Sequence, residues 1–229
     1  MKKLGILILL IIAAIGLIFV YISRNKASEE ETSQGANTSQ ESQNDEENSP
    51  IDLIDHNPQK NILLVLAFQD FNDQEYINVK NTLRSNKFDV ITASTETGSA
   101  TGMKGTRVRI DLSIDEISTD DFLGVVFVGG SGAHIYFDNE TVQNLARSFY
   151  DAGKLTSAIC SGPVILANAG LLQDKKATCY PGYEENLTSK GATHTGDNVT
   201  VDGNIVTGKG PDEAREFAEK VVEMLSKEN

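Results

Sequence analysis

Cys160 stands in "LTSAICSGPVILANAGLL" (155–172), where an apolar run meets a string of small residues. Three roles are open to such a cysteine: an inert core residue, half of a disulfide, or a nucleophile displayed on a turn. Its flanks favour the last. "LTSAI" reads as a buried strand and "SGPVILANAGLL" as a helix, so Cys160 falls on their junction. A sharp strand-to-helix turn brings backbones close together and needs small residues two places before and after the nucleophile. Ala158 and Gly162 supply them. Pro163 suits a first helical turn, where a missing N–H costs nothing. A helix N-terminus offers partial positive charge and free N–H groups, and both favour thiolate over thiol. The expectation is a nucleophilic, thiolate-prone cysteine on an elbow.

The elements around that elbow alternate. "ILLVLAF" (62–68) is a continuous apolar run, the pattern of a strand covered on both faces. In "QDFNDQEYINVKNTLRSNK", Tyr76, Val79 and Leu83 recur at helical spacing, with Asp73 as the expected N-cap. Strands are expected at "FDVITAS" (88–94) and at "GVVFVGG" (124–130), which a glycine pair closes. A helix over "NETVQNLARSFYDAG" places Val142, Leu145, Ala146 and Phe149 on one stripe and stops at Gly153. "VTVDGNIVT" alternates around an Asp-Gly turn, as a hairpin does. A last helix begins at Pro211 and buries Ala214, Phe217, Ala218, Val221 and Leu225. This order implies an α/β three-layer sandwich with a mostly parallel sheet, whose ligands collect beyond the carboxyl ends of the strands.

Ahead of the domain, Leu4 to Ile22 carry no charge and match the length of a membrane-crossing helix. No small-x-small cleavage site ends that run, so residues 1–26 read as an uncleaved anchor. The expected arrangement is a single-pass membrane protein with its domain outside the cytoplasm. Residues 27–58, rich in Ser, Gln, Asn and Glu, read as a disordered acidic spacer, leaving 59–229 as the folded domain. A net charge of -13 argues against nucleic acid as a partner. Two cysteines do not make a disulfide scaffold, and His56, His134 and His194 are too scattered for a metal site. Neither a metal nor a cofactor is expected. His194 reads as solvated.

Several stretches, in order, resemble the DJ-1/PfpI superfamily, whose fold is flavodoxin-like and of the class I glutamine amidotransferase type. "AICSGPVILANAGLL" resembles its nucleophile elbow, "LAFQDFNDQEYINV" the first-strand loop, and "VVFVGGSGA" the glycine-pair loop. "ATCYPGYEENL" and "VDGNIVTGKGPDEAREFA" resemble the segments that follow the elbow in bacterial members. The resemblance makes Cys160 the nucleophile and Glu75 the acid beside it, with a raised pKa, and gives the backbone N–H groups of Gly130 and Ser161 to an oxyanion. Gly129, Ser131, His134 and Tyr180 become pocket residues. Cys179 is either an ordinary strand cysteine or a redox partner of Cys160. Peptidase-like members carry a histidine where Ser161 stands, others one where Tyr180 stands, and the second acid of the first loop is replaced by Asn72.

The activity implied is cysteine-dependent chemistry on a small reactive aldehyde such as methylglyoxal, or on its protein adducts, of the glyoxalase III or deglycase type. The alternatives are a redox sensor or chaperone working through oxidation of Cys160, a cysteine peptidase or amidase, and a catalytically idle binding domain. The resemblance also implies a homodimer.

Overall fold

All five residues of the strand Asn61–Val65 (β1) are buried, because helices cover the sheet on both faces. Side chains alternate along a strand, so both sides of a doubly covered one are apolar. Ile62 and Leu64 enter one hydrophobic layer and Leu63 and Val65 the other. The structure, a computed structural model, describes residues 60–227.

After β1 come β2 (Gln69–Phe71), α1 (Asp73–Ser85), β3 (Asp89–Ser94), β4 (Gly98–Gly102), β5 (Arg107–Ile110), β6 (Leu112–Ser113) and β7 (Gly124–Phe127). The chain continues through α2 (Glu140–Asp151), β8 (Leu155–Ile159), α3 (Pro163–Asn168), β9 (Lys176–Ala177), α4 (Glu184–Thr188) and β10 (Thr193–His194). It ends with β11 (Val199–Asp202), β12 (Ile205–Gly208) and α5 (Ala214–Lys227), a 3-10 turn at Pro211–Glu213 leading into the last. Seven strands form the main sheet in the order β11-β12-β8-β7-β1-β3-β6, parallel except for the β11–β12 hairpin. Val79 and Leu83 of α1 and Phe217 and Val221 of α5 pack on the face of Ile62 and Leu64. Val142 and Phe149 of α2 and Val164 and Ile165 of α3 pack on the face of Leu63 and Val65. The expected three-layer α/β arrangement is present.

Several boundaries differ from expectation: the strand at 124–130 ends at Phe127, the helix after Cys160 runs only Pro163–Asn168, the last helix begins at Ala214, and the cap of α1 is shifted. Asn72, not Asp73, caps α1: it has extended backbone angles, and its side chain accepts the N–H groups of Gln74 and Glu75 at 3.1 and 3.2 Å. Asp73, one residue further in, instead accepts the N–H groups of Lys104 and Thr106 at 2.7 and 2.8 Å. It thereby pins the turn joining β4 to β5, in a small β2-β4-β5 sheet that hydrophobic periodicity leaves unassigned. The expected anchor (1–26) and spacer (27–58), with His56, lie outside the described residues. Among the described residues, no helix is long and apolar enough to cross a membrane.

Candidate active site

Cys160 sits just beyond the carboxyl end of β8 with φ at +64°, a left-handed conformation that costs a non-glycine residue about 1–3 kcal/mol. The strain is held from both sides. The Cys160 N–H donates to Gly208 O at 2.9 Å, and its carbonyl accepts the Tyr180 N–H at 2.9 Å. Gly162 has to be glycine: a Cβ there would stand 2.7 Å from Phe127 O and 2.9 Å from Ile159 O. The side chain is 7 % exposed. Ala158 lies fully buried in β8.

Glu75 comes from the first turn of α1 and is 0 % exposed. Its Oε2 accepts the Gly129 N–H at 2.9 Å, while Oε1 is buried with no partner of ordinary hydrogen-bond geometry. Burial pushes this carboxyl up to about 7, against the smaller downward pull of the Cys160 thiol and the Gly129 N–H. The raised pKa expected for Glu75 is present, with desolvation as its main cause.

The thiolate-prone cysteine needs correction. The N–H groups of Gly130 and Ser161 reach the sulfur and lower its pKa, as a helix N-terminus should. Burial first, and then the charge and hydrogen bonding of Glu75, push the thiol up by more. An α3 of only six residues has little dipole to set against that. Two buried acids in contact cannot both ionise near neutrality, so the pair keeps at least one proton between them.

The glycine loop after β7 completes the site. A Cβ on Gly130, at φ +112°, would stand 2.5 Å from Asn72 N and from Asp70 O, so only glycine lets this loop lie against the first-strand loop. The Ser161 hydroxyl donates to Gly130 O at 3.1 Å, tying together the two segments whose N–H groups reach the sulfur. Gly129 lies behind Cys160 rather than on the pocket wall.

In front of the sulfur opens a pocket of about 530 Å³. Gly130, Ser131, His134, Cys160, Ser161 and Tyr180 line it, as do Asn72 and Met103 from the first half of the chain. No Lys, Arg, Asp or Glu is among the lining residues. Sequence reasoning missed Tyr183, which also lines the pocket and whose hydroxyl is hydrogen-bonded to His134 Nε2. Its signal was a second tyrosine three residues after Tyr180 in "CYPGYEE". Cys179 is buried, and burial followed by the charge of Glu184 pushes its thiol up to about 12. Both cysteines are free thiols, and they pack into hydrophobic layers on opposite faces of the sheet. His194 is not solvated as expected: it is half-buried on β10, with Nε2 shielded and unpartnered.

Comparison with known proteins agrees with this geometry. Residues 60–224 match the model of the DJ-1/PfpI family. The chain is 32% identical over 163 residues to a Pyrococcus horikoshii protein named deglycase PH1704, covering 71% of this chain and 98% of that one. It is 29% identical over 167 residues to a Caenorhabditis elegans protein named glutathione-independent glyoxalase DJR-1.2, covering 73% and 89%. The crystal structure of a ThiJ/PfpI domain protein from Brachyspira murdochii superposes with a TM-score of 0.72 at 38% identity, covering 73% of this chain and 96% of that one. A match spanning nearly all the described residues, on top of a strained cysteine elbow over a buried glutamate, leaves one assignment: the chain belongs to the DJ-1/PfpI family.

Proposed function

We propose that the protein is a cysteine-dependent enzyme acting on small reactive aldehydes or their protein adducts, in the manner of a glyoxalase or deglycase. The observation that carries this reading is the stack of Glu75 beneath Cys160, with two N–H groups at the sulfur, opening into a pocket free of charged side chains. A relative named as a deglycase and one named as a glyoxalase support it.

The sulfur adds to the aldehyde carbon as the proton shared with Glu75 passes to the carbonyl oxygen, giving a neutral thiohemiacetal. The N–H groups of Gly130 and Ser161 stabilise the negative charge that oxygen carries in transit. A neutral pocket suits an uncharged dicarbonyl such as methylglyoxal. The peptidase alternative would need a base beside the nucleophile, and Ser161 in that place spends its hydroxyl proton on Gly130 O. Redox sensing favours an exposed, low-pKa thiol, and Cys160 is neither.

The test is methylglyoxal consumption by the full-length protein beside Cys160→Ser and Glu75→Gln. Turnover lost in both supports the proposal; a wild type that forms no product overturns it. Membrane attachment through the apolar run 4–22 and a homodimeric state belong to the same proposal. Recovery in the soluble fraction without detergent would remove the first, and a monomeric mass by light scattering the second.

A further inference from the structure

Turning an aldehyde adduct into a hydroxy acid requires a base at the former aldehyde carbon, after the sulfur is already attached. Glu75 is fully buried and does not line the pocket, so it serves the sulfur and the oxygen rather than a C–H bond presented from the pocket. Ser161 and Tyr180 stand where the resemblance to the family implies histidines, and neither supplies an imidazole.

One imidazole does reach the pocket. His134 lies on the 3-10 turn Ser131–Tyr136, directly after the glycine loop, and lines the same pocket as Cys160. Its Nε2 is hydrogen-bonded to the hydroxyl of Tyr183, which also lines the pocket. Phe137 holds both rings, with centroids 4.9 Å from His134 and 6.0 Å from Tyr183. Burial first, then negative charge on Cys160 and Tyr180, push the Tyr183 phenol up, so it keeps its proton. In the tautomer of His134 that carries its proton on Nδ1, Nε2 accepts the Tyr183 hydroxyl, and that is the arrangement a relay from the phenol requires.

We propose that His134 and Tyr183 form the proton relay that converts the Cys160 thiohemiacetal into product, taking the place of the histidines absent beside the nucleophile. This rests on the aldehyde reading above. The adduct's C1–H proton passes to the Tyr183 oxygen while the Tyr183 proton moves to His134 Nε2. The C–H electron pair forms a C1–C2 double bond, and the neighbouring ketone becomes an enolate oxygen. Return of the relay's proton to C2, with the C1 hydroxyl proton passing to the oxygen on C2, gives a hydroxyacyl thioester of Cys160 and restores the Tyr183 phenol and neutral His134. Water then adds at C1, the C–S bond breaks, and sulfur leaves with the electron pair. Methylglyoxal and water thus give lactate and a proton, with no oxidant or reductant consumed.

The experiment uses the full-length protein, wild type and as His134→Ala, Tyr183→Phe and the double variant. Protection of Cys160 from iodoacetamide by methylglyoxal reports adduct formation, and lactate release reports its conversion. Protection should stay within about twofold of wild type in all variants, because Cys160 and Glu75 are untouched. Lactate release should fall roughly 10²- to 10³-fold in each single variant and little further in the double, as for groups acting in one relay. Methylglyoxal deuterated at the aldehyde carbon should then show an enlarged isotope effect, and free imidazole should partly rescue His134→Ala. Release within about fivefold of wild type, or protection lost together with release, overturns the relay while leaving aldehyde chemistry intact. A wild type that is protected or unprotected but never releases lactate overturns both proposals.

Discussion

Gly129 holds Cys160 and Glu75 together by having no side chain. A Cβ built on it would stand 2.7 Å from Cys160 Cβ and 2.9 Å from Glu75 Oε2, with Ile159 O also at 2.9 Å. The same residue donates its N–H to Oε2. The Gly129 backbone therefore donates to the acid and, having no side chain, leaves room for the Cys160 thiol and the Glu75 carboxyl to meet.

Gly129→Ala should force that pair apart. The contacts are backbone and buried side chain, so relief needs movement of β8 or of the α1 start, costing about 1–3 kcal/mol. Aldehyde turnover should fall at least tenfold. Gly170→Ala is the control: it has φ +80° but no heavy atom within 4 Å of the built Cβ, so it should lose about 1 kcal/mol and no activity. Thermal unfolding and steady-state rates of both variants separate local strain from site geometry. Full activity in Gly129→Ala would contradict the need for an absent side chain beside the pair.

Glu75 makes stability depend on pH with a definite sign. Its folded pKa of about 7 lies above that of an exposed carboxyl, so its stabilising contribution is complete below the unfolded value near 4. That contribution is lost as pH rises through 7. Glu75→Gln removes the ionisable group, so the wild type should lose stability relative to the variant between pH 4 and 8, by roughly 3 kcal/mol at most. Denaturant unfolding across that range measures the difference. A constant gap would mean that Glu75 does not ionise in the folded state. In Cys160→Ala, loss of the thiol contact that holds the carboxyl down should raise the Glu75 pKa further, visible by carboxyl carbon NMR.

Much of this site is legible in the sequence because elbow and glycine loop are local devices. The small residues around Cys160 and the pair Gly129–Gly130 follow directly from close backbone approach, which sequence spacing records. Ionisation is not local. The immediate neighbours of Cys160 favour a thiolate, but burial, and then Glu75 from 85 positions away in the chain, arrive by folding and reverse the balance. The same holds for Tyr183, whose partner His134 belongs to another loop. The β4–β5 hairpin escaped detection because "GSATGMKGTRVRI" carries few large apolar residues and covers only one edge of the domain.

Two free thiols are expected without reductant. Cys160 and Cys179 pack into opposite layers of the sandwich, so joining them would require the elbow to turn over. Thiol titration of the unfolded, never-reduced protein should count two; a count of zero, with a disulfide mass, would contradict the opposed packing.

Ser161→Ala removes the hydroxyl that donates to Gly130 O, while leaving the Ser161 N–H in place. Gly130 O still accepts the Ala133 N–H at 3.2 Å, so no buried carbonyl is orphaned and the stability cost should be about 1 kcal/mol. Turnover should fall more than stability suggests, roughly tenfold, because the two N–H donors at the sulfur lose their mutual tie. An unchanged kcat would show that the glycine loop is held by its other contacts alone.

Asp73 connects the start of α1 to the pocket rim through the β4–β5 turn. Burial raises its pKa, but hydrogen bonds from the Thr106 side chain and from the Lys104 and Thr106 N–H groups outweigh it and hold the carboxyl below its ordinary range. Its stabilising contribution is therefore present above the unfolded value near 4 and lost as pH falls through the lower folded value. Gly102 admits this arrangement, since a Cβ there would stand 2.6 Å from Asp73 Oδ1. Met103, the next residue, lines the pocket. Asp73→Ala should thus cost about 1–3 kcal/mol at pH 7 and less as pH falls through the lowered folded value, where the wild type loses the carboxylate that accepts these bonds. Because the turn carries Met103 and not Cys160, KM should rise several-fold with kcat nearly unchanged. A fall in kcat at constant KM would place the effect at Glu75, two residues along the same helix, instead of at the rim.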